Sequence, residues 1–151
     1  MVNPSGSVSL EPISGSHVGL AISVEGGIFS PIFTNAGTDS LLELTRKRSE
    51  AIEAIRSNRS PSIQEVAAIT LSNLGNMGID RFRAIIKPDE SMILALGGLR
   101  EKVVAEQGSI VIQKGFSMIL SVDHRLIDGK DAAQFLGLIV KIIEAGNWKI
   151  V

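Results

Sequence analysis

One histidine, His124, stands between an apolar run at residues 116–122 and an apolar helical pattern at 130–144. Asp123, Arg125 and Asp128 surround it, and Gly129 closes the segment. Imidazole is the side chain whose unperturbed proton equilibrium lies nearest neutral pH. A histidine held by charges at the exit of a strand is therefore a natural general base. The chemistry it suits is removal of a proton from an incoming nucleophile. A second candidate is Ser72, late in an apolar stretch at residues 67–74 and followed by Asn73 and a glycine-containing loop. A hydroxyl there can be directed into a cavity, but on pattern alone Ser72 reads as a polar residue on the wet face of a strand. His17 begins an apolar stretch and reads as structural. With no cysteine and two histidines in the chain, a metal centre is not indicated and none is expected.

The elements that must position these residues can be read in order. Residues 1–16 are rich in Pro, Ser and Gly and form a flexible N-terminal arm; the domain proper is expected over 17–151. Residues 17–24 read as a strand, Gly26 and Gly27 as a turn, and 28–33 as the return strand. Pro31 makes that return an edge or bulged strand. A helix begins near Ser40, with Glu43 completing a capping-box pattern and Asp39 as the competing cap. Leu41, Leu44, Ile52 and Ile55 recur at helical spacing, and Arg46, Lys47 and Arg48 form a solvated face. Ser60 and Pro61 open a short helical turn. Strands are expected at 67–74, 82–86 and 91–96, the last central. A hairpin follows, with 103–104 and 108–112 joined across residues 105–107, and then the strand leading to His124.

The last helix, 130–144, is apolar over more than one stripe. It should be buried against the sheet and against something else. Gly146 stops it, and Trp148 begins a short apolar tail suited to docking. The class is α+β, a mixed or antiparallel sheet covered by two main helices. So few helices leave sheet surface uncovered, which points to burial by oligomer formation.

Composition bounds the partners. The chain has 151 residues, 44% hydrophobic and 21% charged, which fits one globular domain with a real core. A net charge of −1 gives no electrostatic footprint for nucleic acid or an anionic membrane. No apolar run is long enough to span a bilayer and no signal-peptide pattern opens the chain, so a cytoplasmic location is expected.

Several segments taken together resemble a known family. They are Ile69, Thr70, Leu71, Ser72, Asn73, Leu74 and Gly75, then residues 82–88 and 92–97, then Asp123, His124 and Arg125 through Asp128 and Gly129. They are similar to the catalytic domain of dihydrolipoamide acyltransferases, the cores of 2-oxoacid dehydrogenase complexes, related in fold to chloramphenicol acetyltransferase. Residues 18–36 and 40–55 are similar in the same order. The resemblance implies a chloramphenicol-acetyltransferase-like fold, incomplete at its N-terminal side because only the later part of the family's catalytic domain is represented.

It also implies roles. His124 matches the general base and Ser72 the hydroxyl that donates to the oxyanion of the tetrahedral intermediate. Asp128 matches a conformation-fixing residue, with Asp123, Arg125, Gly129 and Asn73 as supporting positions. The donor implied is a coenzyme A thioester, acetyl-CoA in the first instance, with an acyl carrier protein as the other possible carrier. The active sites would lie between subunits of a homotrimer or larger assembly, His124 and Ser72 coming from different chains.

The acceptor is less constrained. In the absence of a lipoyl domain from this sequence, the favoured expectation is a stand-alone O-acetyltransferase acting on a small-molecule hydroxyl, such as a tetronate polyketide intermediate. The alternatives are a core fragment of a dihydrolipoamide acyltransferase, and a non-catalytic trimerising scaffold.

Overall fold

The computed structural model describes residues 15–24, 27–57 and 66–146. Residues 1–14 of the N-terminal arm, the turn at Gly26, the helical turn at Ser60 and Pro61, and the tail from Trp148 lie outside the described residues. Ser16, expected in the flexible arm, is instead tied down: its carbonyl accepts the Ala36 amide at 2.9 Å and its hydroxyl the Gly37 amide at 2.6 Å. Eleven elements follow in chain order. Strand β1 is Val18–Val24, β2 Gly27–Phe29 and β3 Ile32–Phe33. Helix α1 is Leu41–Arg56, β4 is Ile69–Asn73, and a 3₁₀ turn covers Gly75–Met77. Strands β5 (Met92–Leu96), β6 (Arg100–Glu106), β7 (Ser109–Gly115) and β8 (Met118–Val122) lead to helix α2, Gly129–Ala145.

One six-stranded sheet runs β2-β1-β4-β5-β8, with β3 also paired to β1. The β1–β4 and β4–β5 pairs are parallel and β5–β8 is antiparallel, which makes the sheet mixed, as expected. Strand β5 is central. Its Ile93, Leu94 and Ala95 are buried, and with Ala67 and Ile55 of α1 they make the core. Ile22 stands opposite Phe29 and Gly19 opposite Ile32, so the β1 partners keep one register. Pro31 therefore interrupts an edge strand without inserting a bulge residue; its carbonyl still accepts the Leu20 amide at 3.0 Å.

Ser40 wins the cap of α1, its hydroxyl accepting the Glu43 amide at 3.2 Å. The Glu43 carboxylate turns outward to Arg46, which also pairs with Glu50. Asp39 instead holds Lys47 at 2.6 Å. Arg46 and Lys47 of the basic run are thus held in ion pairs, and exposed pairs such as those of Arg46 contribute little to stability individually.

Two expectations need correction. Residues 82–86 form no strand among the described residues. Their burial alternates along the chain and Ile85 is 89% exposed, but a segment becomes a strand only when a neighbour supplies a ladder. Their tie to β8 is a side chain, the Ser121 hydroxyl donating to the Ala84 carbonyl at 3.1 Å. The hairpin is also longer than expected and turns two residues later. Gln107 and Gly108 both have positive φ, the two-residue geometry that suits the twist of paired strands, and Glu106 stands opposite Ser109. This β6–β7 pair is a separate sheet that exposes Val103, Ile110 and Ile112.

Helix α2 lies along β8 yet has no buried residue, and Phe135, Leu138 and Ile142 are exposed. The chain supplies the sheet side of that helix and leaves the second apolar stripe uncovered. No helix among the described residues is long and apolar enough to cross a membrane.

Candidate active site

The His124 loop is built from the end of β8 to the start of α2. The Asp123 amide donates to the Ser91 carbonyl at 2.9 Å, docking the strand exit on the residue before β5. The Asp123 carbonyl accepts the amides of Leu126 and Ile127, at 2.9 and 3.0 Å. The Asp123 carboxylate accepts the Arg125 amide at 3.0 Å and its guanidinium through Nε and Nη2 at 2.5–3.1 Å. These bonds to Arg125, the side-chain one foremost, hold the Asp123 carboxyl down at about 2 and push the Arg125 guanidinium up. His124 sits between these two residues with its side chain exposed. A tight turn closed on both flanks presents the imidazole outward at a fixed position.

Asp128 ends the turn. Its carboxylate accepts the Asp131 amide at 2.9 Å and caps α2, satisfying one of the free N–H groups of the first turn. The bond it makes is to the helix, so Asp128 fixes the loop's exit. Gly129 is the first helical residue, and a Cβ there would meet nothing, so packing does not demand a glycine.

Ser72 lies on β4, half-buried, opposite Ala21 on one side and Ala95 on the other. The small neighbours leave room around its hydroxyl. The next residue, Asn73, accepts the Gly75 amide at 2.8 Å and bends the chain off the sheet. The loop then lies directly on the one that follows β5. Leu74 donates to Leu96 at 3.2 Å, and Gly98 to Ile79 at 2.9 Å. A Cβ on Gly75 would fall 2.7 Å from the Gly97 carbonyl oxygen, and one on Gly97 would run into the Asp80 carbonyl. Backbone meets backbone here, and only glycine permits it. The end of β4 that carries Ser72 is therefore rigidly seated.

The chain does not bring Ser72 and His124 together. Ser72 is level with Ala95, and Ala95 is level with Ile119 near the start of β8. His124 lies beyond the far end of β8 (124 − 119 = 5 residues on). At about 3.3 Å per residue along a strand and about 4.8 Å across each of two strand spacings, they are about 15–20 Å apart. Proton transfer and oxyanion stabilisation need groups within about 3 Å of the reacting atoms. The two candidate residues thus lie toward opposite ends of the sheet.

Sequence reasoning missed a buried polar cluster. Thr70 is fully buried on β4, and its hydroxyl donates to Glu90 at 2.7 Å; the Glu90 side chain is 4% exposed and also meets Lys87 Nζ at 2.5 Å. The available signal was a run of charges, Lys87, Asp89 and Glu90, set hard against the most buried strand. It reads equally well as a surface turn.

Comparison with known proteins converges on one family. The model for the 2-oxoacid dehydrogenases acyltransferase (catalytic domain) matches residues 13–150. Component 5 of the chloroplastic pyruvate dehydrogenase complex of Arabidopsis thaliana, a dihydrolipoyllysine-residue acetyltransferase, is 36% identical over 87% of this chain and 29% of its own length. Among solved structures, the dihydrolipoamide acetyltransferase of Azotobacter vinelandii superposes with a TM-score of 0.78 at 31% identity, over 91% of this chain and 57% of that one. The cubic core of a pyruvate dehydrogenase multienzyme complex superposes with a TM-score of 0.76 at 31% identity, over 90% and 56%. The chain thus spans about three-tenths of the curated relatives it matches. The Azotobacter enzyme was studied for the catalytic roles of a serine, a histidine 52 residues later and an asparagine four after that. The intervals here are the same, 124 − 72 = 52 and 128 − 124 = 4, with Asp128 at the third position.

Proposed function

Because this chain belongs to the 2-oxoacid dehydrogenase acyltransferase (catalytic domain) family, we propose that it transfers an acyl group between a coenzyme A thioester and the thiol of a dihydrolipoyl group. The observation that carries this reading is the Ser72, His124 and Asp128 spacing, shared with the serine, histidine and asparagine of the Azotobacter enzyme.

The chemistry follows from the two half-sites. The His124 imidazole takes the proton of the incoming thiol, and the thiolate attacks the thioester carbonyl. Negative charge moves to the carbonyl oxygen, where the Ser72 hydroxyl of a neighbouring copy donates a hydrogen bond. Collapse expels the first thiol's sulfur, which recovers the proton from the imidazolium. No net proton is gained or lost, so one base suffices. The hydrogen bond from Ser72 strengthens as the oxygen becomes charged, and such a donor typically contributes about 2.7–4 kcal/mol of barrier lowering.

The separation of about 15–20 Å within one chain makes assembly part of the reading, and a homotrimer is the arrangement we assign. The uncovered stripe of α2, the exposed Ile85 and the apolar face of the β6–β7 hairpin are available for subunit contacts. The hydroxyl-acceptor reading loses its footing. It rested on a sequence without carrier domains, and a chain spanning about three-tenths of its relatives says nothing about such domains.

The test is turnover with acetyl-CoA and free dihydrolipoamide, following release of coenzyme A and formation of the acyl-thioester. Thiol acylation that depends on His124 is expected. Faster transfer to tetronate-type hydroxyls than to the dithiol would overturn the acceptor, and an unchanged rate in His124→Ala would overturn the mechanism.

A further inference from the structure

We propose that the buried Thr70–Glu90–Lys87 cluster is a positioning device for His124, acting through the Ser91 carbonyl. The inference rests on the assignment of His124 as the base.

Glu90 is nearly inaccessible, in a place where an acidic group without partners would be costly. Both oxygens are committed: Oε2 accepts from the buried Thr70 hydroxyl at 2.7 Å, and Oε1 faces Lys87 Nζ at 2.5 Å. These bonds join β4, the strand of Ser72, to the turn at residues 87–90. That turn is under constraint, with Asp89 at φ 67° and the Glu90 amide donating to the Lys87 carbonyl at 3.2 Å. Only the backbone of one residue separates the cluster from the catalytic loop. Ser91 follows Glu90 directly, and its carbonyl holds the amide of Asp123, the residue before His124.

The chain of contacts is therefore Thr70, Glu90, Ser91, Asp123, His124. Beyond Ser91 the loop is braced locally by Arg125 and Asp128, which fix its shape. The Ser91 carbonyl instead fixes its place on the sheet. Gly19 completes the arrangement. It lies opposite Thr70 on β1, and a Cβ there would collide with the Thr70 hydroxyl, so the glycine keeps that hydroxyl free to face Glu90.

The test compares Glu90→Ala, Glu90→Gln and Thr70→Val with the parent protein. Two readouts are used: steady-state transfer from acetyl-CoA to dihydrolipoamide, and the imidazole ¹H–¹³C cross-peak of His124, assigned with His124→Ala. Misplacing a catalytic group by an ångström costs up to about 100-fold, so Glu90→Ala should lower kcat between about 10-fold and 100-fold with KM within about twofold. It should also shift or broaden the His124 cross-peak. Glu90→Gln keeps an acceptor for Thr70 and should restore most of the rate. Thr70→Val preserves shape while removing the donor, and it decides the matter should Glu90→Ala fail to fold. A folded Thr70→Val or Glu90→Ala with unchanged kcat and an unchanged His124 signal overturns the proposal. If the parent protein transfers no acyl group at all, the cross-peak still reports, so the two readings fail separately.

Discussion

The separation of Ser72 and His124 makes a quantitative prediction for mixed assemblies. Take two inactive variants, Ser72→Ala and His124→Ala, and let their chains assort at random in one oligomer, by co-expression or by joint refolding. Loss of the oxyanion donor should lower kcat about 10²- to 10³-fold, and loss of the base about 10²- to 10⁴-fold. If each site takes its histidine from one chain and its serine from the next, a site works when the first chain is the serine variant and the second the histidine variant. In a closed ring at equal proportions that occurs in about a quarter of sites, one half times one half. The mixture should therefore recover about 25% of parental activity, well over tenfold above either variant alone. Coenzyme A release measured across a series of mixing ratios should follow the product of the two fractions and peak at equality. If both residues served one site within a chain, no mixed assembly would contain an intact site. Activity that stays at the weighted mean of the two variants at every ratio refutes the reasoning from register.

Other outcomes follow from individual contacts. Gly97→Ala forces a Cβ into the Asp80 carbonyl, and urea unfolding should show a loss of at least about 1–3 kcal/mol, the usual cost of overpacking. Asp128→Ala should lose the α2 cap, about 0.5–2 kcal/mol, whereas Asp128→Asn should stay within a few tenths because asparagine caps equally well; thermal melts of the pair separate these. Asp123 titrates at about 2 in the folded chain against about 3.9 unfolded, so its pairing with Arg125 stabilises above pH ~4 and is lost as pH falls towards ~2. Carboxyl ¹³C shifts should show that step, and Arg125→Ala should move it upward. The Ser30 hydroxyl is buried with no hydrogen-bond partner among the described residues, so Ser30→Ala should be neutral or raise stability by up to about 1 kcal/mol, and a large loss on calorimetry would contradict that.

Local chemistry made much of this fold legible from sequence. Pro31 told of an edge strand because a missing N–H is a local fact, and the ladder is interrupted there. Ser40 and Gly146 marked helix ends because capping depends on neighbours a few residues away. The His124 loop was legible for the same reason, lying between a recognisable strand and a recognisable helix. What stayed hidden depends on register between distant segments. Residues 82–86 have the alternation of a strand, but whether they pair is decided by what lies beside them. The contact of Thr70 with Glu90 joins positions 20 apart through β4 and the turn before β5. Ser72 looked unremarkable by pattern because no neighbour in sequence marks it out and His124 lies toward the other end of the sheet.

The glycine contact beneath Ser72 has a consequence for how this segment can change. When a bulky side chain collides with another side chain, trimming the neighbour relieves the clash, and a lost variant can be rescued at a second position. Gly75 and Gly97 abut carbonyl oxygens. Those atoms are present whatever residue occupies the position, so there is nothing on the other side to shorten. Suppressor screens starting from Gly97→Ala should return reversion to glycine, or changes that lengthen the loop at residues 78–80, and no compensating side-chain substitution in contact with it.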